Sequence, residues 1–147
     1  MTGQVAEALT LVPGEAAGPV VRLAEPLSFW GGLDPVTGAV IDRWHPQAGA
    51  CLSRAIVVMR AGRGSSSGSS VLAEALRRGT GPAGLILAAR DAIVVTGAMV
   101  AAELYGLRCP VVCLADADAW AWIASAASLR ITAEADRAIL EATPSAG

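Results

Sequence analysis

The chain has no lysine: all eleven of its basic residues are arginine. That absence removes Schiff-base chemistry. It also rules out a nucleotide P-loop, which needs a lysine at its end to reach the phosphates. There is one histidine, at position 45, and no CxxC pair among three cysteines. An odd, sparse cysteine set fits a reducing compartment rather than a disulfide scaffold. Charge is scarce too, at 16% of residues with a formal net charge of −2, so no basic patch for nucleic acid and no polybasic membrane anchor is expected. The longest apolar stretch, Ala92 to Ala102, lies between Asp91 and Glu103 and falls short of the ~20 residues that span a bilayer. The N-terminus lacks the basic start and apolar run of a signal peptide. The expectation is a soluble cytoplasmic protein that avoids nucleic acid and membrane.

Apolar residues are abundant instead, at 54% of the 147, which suits one domain with a real core and a sizeable interface. Strands are predicted at 4–11 and 19–25 around the turn Pro13-Gly14-Glu15, at 39–42, at 55–59, at 85–89 and at 109–114. Helices are predicted at 71–78, closed by Gly79, from the cap Asp91 to Tyr105, ended by Gly106, and at 116–127. The β-branched run Val94-Val95-Thr96 weakens the helical signal at the start of the second of these. A closing hairpin is predicted from 129–132 and 137–140. Strands alternating with helices, flanked by hairpins, argue for a mixed layered α/β domain.

The stretch that organises the rest is Gly62-Arg63-Gly64-Ser65-Ser66-Ser67-Gly68-Ser69-Ser70, between a buried strand and a helix. Such a junction leaves backbone N–H groups unpaired and can hold an anion. Alternatively it is an ordinary capped helix behind a surface loop. Trp30, beside Gly31 and Gly32, either lines a site or interface or forms a lid on the core. Asp34-Pro35 with Thr37-Gly38 is turn chemistry. His45, held before Pro46, reads as a hydrogen-bonded structural residue or as a site residue. Cys109 and Cys113 would share one face of a strand, either as core packing or as metal ligands.

Leu27-Ser28-Phe29-Trp30-Gly31-Gly32, Asp34-Pro35, Thr37-Gly38, Ile41-Asp42 and His45-Pro46, followed by the Gly/Ser stretch, resemble the aconitase X family. More narrowly, they resemble the small subunit, or swivelling domain, of those dehydratases. The resemblance covers roughly residues 15–115, and the last thirty residues carry no family motif. It implies a single swivelling β/β/α domain of the aconitase type over 1–147, with mixed layered sheets and short helices. It implies a hydro-lyase subunit active only with its large subunit. An iron–sulfur cluster is expected in that large subunit, with no cofactor or metal bound by this chain.

Mapping Gly64-Ser65-Ser66 onto the family motif implies Ser65 as the catalytic proton acceptor. Arg63, Gly64, Ser66 and Ser67 are implied to bind substrate. Trp30, Gly31, Gly32, Asp34 and His45 form a possible site or interface loop. Aconitase follows its two serines with an arginine, and Ser67 stands there in this chain, so carboxylate recognition must come from elsewhere. The implied substrate is a small hydroxy acid. It is cis-3-hydroxy-L-proline, favoured by an arginine-only composition that fits a high-GC bacterium, or mevalonate 5-phosphate. Two other classes remain open: a non-catalytic anion-binding or regulatory module, and a phosphocarrier through His45.

Overall fold

A computed structural model describes residues 4–143. Seven strands are joined edge to edge: β1 (Val5–Val12), β2 (Gly14–Arg22), β3 (Ile56–Val58), β4 (Gly84–Leu87), β5 (Val111–Cys113), β6 (Ser128–Ala133) and β7 (Arg137–Ala142). They close into one barrel in the order β1-β5-β4-β3-β2-β6-β7, with β7 returning to β1. The layered sheets expected from the sequence are therefore replaced by a single closed barrel. Closure removes the free edges that stacked sheets would leave. Three helices and one helical turn accompany it among the described residues: α1 (Phe29–Gly32), a turn whose Trp30 and Gly31 dihedrals are not helical, α2 (Gly68–Arg78), α3 (Ala92–Tyr105) and α4 (Ala117–Ser125).

Strands β2 to β5 run parallel to one another, and every residue of β3 and β4 is buried. The reason is cover on both faces, which turns a strand into a continuous apolar run. Ile56, Val58, Ile86 and Val112 point into the barrel with Leu129, Ile131 and Leu140. Val57, Leu85, Leu87 and Val111 point outward against Leu72 and Ala75 of α2 and Val94 and Ala98 of α3. Helix α4 places Trp120 and Ile123 in the inner cluster.

The buried strands β3, β4 and β5, α3 with its Asp91 cap and Gly106 stop, and the closing hairpin of β6 and β7 follow the sequence expectation. The β-branched first turn of α3 is helical because Asp91 Oδ1 accepts the Ile93 and Val94 N–H groups at 2.9 and 3.1 Å. Three expectations fail. The strands on either side of Pro13 form no hairpin: β1 pairs with β5 and β7, and β2 with β3 and β6. Residues 39–42 form no strand, only isolated bridges from Ala39 to Cys51 and from Val40 to Leu33. Strand β2 begins at Gly14, not at 19, and its first half pairs with β6. Glu15-Ala16-Ala17-Gly18 has little intrinsic strand preference. Pairing holds it there, with Gly18 so close to Arg54 that a Cβ would lie 2.6 Å from the Arg54 carbonyl oxygen.

Candidate active site

The two sequence motifs meet in space. Leu27 and Gly62 form a parallel bridge, and the Arg63 N–H donates to the Leu27 carbonyl at 3.4 Å. Gly64 adopts φ +95°, and a Cβ there would collide with the Ser28 side chain. Gly68 lies against Phe29 and the backbone of Trp30, where a Cβ would come within 3.5 and 3.6 Å. Asp42 links the same two stretches: its Oδ1 accepts the Trp44 N–H at 3.0 Å, and its Oδ2 lies 3.7 Å from the Arg63 guanidinium.

Ser65 is exposed at this junction. Its Oγ accepts the Ser67 N–H at 3.1 Å, and its carbonyl accepts the Gly68 N–H at 2.9 Å. The helix therefore begins three residues earlier than its apolar periodicity suggests, with Ser69 and Ser70 inside it. Ser67 takes the cap position without a side-chain hydrogen bond, and no acidic residue occupies the first turn. Among the described residues no acceptor takes the Ser66 N–H. The exposed residue next to Ser65 thus keeps an unpaired N–H just ahead of the positive end of α2. Arg63 is 61% exposed, and an exposed pair at 3.7 Å binds weakly, which leaves its guanidinium open to an anion.

The remaining predicted residues divide. Trp30 is 59% exposed while Phe29 turns inward, so the lid reading fails: the aromatic cover on the core is Phe29. Gly31, at φ +78°, makes that reversal, and Gly32 is buried against Leu27. Asp34 serves its own turn, with Oδ1 accepting from the Val36 N–H at 2.9 Å and its carbonyl from the Gly38 N–H at 2.7 Å. His45 is only 5% exposed. Its Nε2 donates to the Glu25 carbonyl at 2.9 Å and its Nδ1 accepts the Gln47 N–H at 3.0 Å, in the tautomer that arrangement requires. Both ring nitrogens are engaged, which removes the exposed histidine that a phosphocarrier needs. Its place is structural, pinning the segment that leads into Leu27.

Three residues in the site escaped the sequence reading. Ser28 and Asp42 lie within the first motif, yet nothing in their spacing shows that they reach the second. Asp91 is legible as a helix cap, but its Oδ2 also accepts the Gly62 N–H at 2.9 Å.

The thiols do not form a ligand set. Cys109 is buried, its Sγ 3.6 Å from the Pro82 carbonyl, and burial pushes the thiol up to about 12. It packs in the outer core cluster. Cys51 is exposed, and hydrogen bonding with Ser53 holds its thiol below the ordinary value. Among the described residues no group of three or more His, Cys, Asp or Glu could hold a metal ion, so this part of the chain does not fit an iron–sulfur cluster. Also among the described residues, no helix is long and apolar enough to cross a membrane.

Comparison with known proteins bears on the whole described region. A sequence profile described as the aconitase X swivel domain matches residues 5–141. The chain is 49% identical over 107 residues to the cis-3-hydroxy-L-proline dehydratase of Hypocrea jecorina, a match taking in 73% of this chain and 18% of that protein. It therefore spans under a fifth of that relative's length. It is 41% identical over 88 residues to the phosphomevalonate dehydratase small subunit of Methanothermobacter thermautotrophicus, covering 60% of this chain and 67% of the relative. The fold is similar to the crystal structure of Thermococcus kodakaraensis aconitase X (holo-form), with TM-score 0.75, 26% identity, and coverage of 95% of this chain and 99% of that one.

Proposed function

Because the chain belongs to the aconitase X swivel-domain family, we propose that it acts as the small subunit of an aconitase X-type dehydratase, with Ser65 as the proton acceptor. The observation that carries this reading is the place of Ser65: exposed, where both motifs converge, with the Ser67 N–H aimed at its Oγ. The chain acts as one swivelling domain that covers the partner's pocket. The proposed partner is the large subunit, which would hold the iron–sulfur cluster and most of the substrate contacts. Trp30, Ile41 and Trp44, 59%, 50% and 87% exposed, are apolar surface around the loop and serve as contacts for that partner.

The base needs help of a definite size. An alcohol hydroxyl ionises in the region of water's pKa of about 15.7. Bringing it to neutrality takes roughly 12 kcal/mol, at about 1.36 kcal/mol per unit. The Ser67 N–H donated to an anionic oxygen supplies about 1.5–3 kcal/mol. The α2 N-terminus adds about 0.3–1 kcal/mol while exposed and more once water is excluded. The loop thus covers about a quarter of the requirement. The rest must come from the closed site, where donors gain strength in a dry environment. A loop that supplies so small a share would not catalyse the reaction alone.

Arg63, Ser66 and Ser67 are proposed to receive a substrate carboxylate: a guanidinium, a free backbone N–H and a short hydroxyl at a helix start. The favoured substrate is cis-3-hydroxy-L-proline, supported by the higher identity to dehydratases of that name. Mevalonate 5-phosphate is the second reading, supported by the relatives named phosphomevalonate dehydratase small subunits. Ser65→Ala, co-expressed with the large subunit and assayed on both substrates, tests the role. Turnover should fall by about 10²–10⁴, the usual contribution of a positioned acid–base group, with the melting temperature held. Turnover near wild type in a folded complex would leave the chain a non-catalytic anion-binding module.

A further inference from the structure

The loop carrying Ser65 is fastened at both ends to one turn of α3. At its entry, Asp91 Oδ2 accepts the Gly62 N–H at 2.9 Å. At its exit, Ser69 Oγ donates to the Ile93 carbonyl at 2.7 Å. Residues 63–68 therefore hang between two anchor points only two residues apart on α3. A helix cap alone does not account for this. Oδ1 of Asp91 already serves both capped amides, so Oδ2 is surplus to capping and is used across 29 residues of sequence. Among the described residues the other ties at the loop entry are longer: the 3.4 Å contact between the Arg63 N–H and the Leu27 carbonyl, and the exposed Arg63–Asp42 pair at 3.7 Å.

The contact also explains a glycine. Gly62 is not among the residues with positive φ, so conformation does not demand it. Space does, because a Cβ would stand 2.5 Å from Asp91 Oδ2 and 3.5 Å from Val94 Cγ2. Two residues on, Gly64 turns at φ +95° against Ser28, and the chain then presents Ser65 outward. Where Gly62 is fixed, the path of the next three residues is fixed.

We propose that Asp91 is a positioning residue for Ser65, its second carboxylate oxygen locking the entry of the serine loop onto the first turn of α3. This rests on the reading of Ser65 as proton acceptor. Asp91 itself touches no substrate. A charged acceptor makes the stronger and shorter kind of hydrogen bond, which suits an anchor for a reacting group.

The test separates the two oxygens. In Asp91→Asn the amide oxygen still caps α3, since asparagine caps as well as aspartate, but an NH2 group then faces the Gly62 N–H. Asp91→Ser keeps a capping hydroxyl too short to reach Gly62, and it stands in if the first variant folds poorly. In the full chain, amide hydrogen exchange at Gly62 should quicken about tenfold while Ile93 and Val94 stay protected. In the complex with the large subunit, kcat should fall about 10- to 100-fold with KM changed less than about threefold, as expected for a misplaced reacting group. A purely structural role would instead lower the melting temperature and the Ile93 and Val94 protection together, leaving kcat per folded complex intact. Unchanged Gly62 protection, or full kcat with that protection lost, overturns the proposal while Ser65→Ala remains inactive. An active Ser65→Ala is the separate result that removes the reading beneath it.

Discussion

The two ends of α2 are built on opposite principles. At its C-terminus, Glu74 accepts from Arg77 at 2.7 Å through both carboxylate oxygens and from Arg78 at 2.8 Å, and Gly79 closes the helix in the left-handed conformation. Charge is answered by charge within one turn, and the two arginines also suit the negative end of the helix. At its N-terminus there is no acidic residue and no side-chain bond from the cap residue; the carbonyls of Ser65, Ser66 and Ser67 take the first N–H groups, and among the described residues only the Ser66 N–H, ahead of the cap and beside an exposed arginine, has no acceptor. A helix selected for stability alone would place an Asp, or a Ser with its hydroxyl engaged, at that start. One end is thus closed by charged side chains, the other by backbone carbonyls and serines alone, with the Ser66 N–H left over among the described residues.

The contrast can be broken in three places. The largest effect belongs to Gly64→Ala. The φ of +95° and the collision with Ser28 together should cost about 1–3 kcal/mol in denaturant unfolding, and a displaced Ser65 should lower turnover of the complex by about 10²-fold. Trimming Ser28 to alanine in the same chain should recover part of the stability, because that side chain is what the new methyl meets.

Ser66→Asp finishes the open end with a charge. It should stabilise the chain by about 0.3–1 kcal/mol through the helix dipole and raise KM for an anionic substrate about fivefold, the effect of about 1 kcal/mol between unit charges 4 Å apart in water. Stability and function then move in opposite directions, which an ordinary surface cap would not produce.

The smallest effect lies at the closed end. The Arg77 and Arg78 guanidiniums hold the Glu74 carboxyl at about 2, below its ordinary value of 4.5. A depressed folded-state pKa means that the contribution to stability is complete above about pH 4.5 and is lost as pH falls towards 2. Because the group is solvent-exposed, the effect is small. Acid titration of unfolding should show wild type losing slightly more stability than Glu74→Gln across that window, with the two curves parallel above it.

The closed end of α2 was written in the sequence, with arginines in the last turn and glycine after it, because local spacing suffices to define it. So were the buried central strands and the Asp91 cap, though not the parallel pairing of those strands. The open end was legible only as a Gly/Ser stretch and a family resemblance. Its geometry depends on Leu27, Ser28, Asp42 and Asp91 arriving from other parts of the chain, and no periodicity records such a meeting. The same reason hid the barrel: closure rests on β1 pairing with β5 and β7, partners about a hundred or more residues away. The first half of strand β2, Gly14 to Gly18, carries no strand signal of its own, because glycine, alanine and glutamate lack strand preference and pairing with β6 holds it.

The most direct test of the account is hydrogen exchange at the reacting carbon of the substrate, followed in D2O with the assembled complex. Wild type should release that hydrogen to solvent. Ser65→Ala should still bind substrate with little change in affinity and show exchange slower by about 10² or more. Exchange at the wild-type rate in a folded Ser65→Ala complex would contradict the claim that this hydroxyl takes the proton.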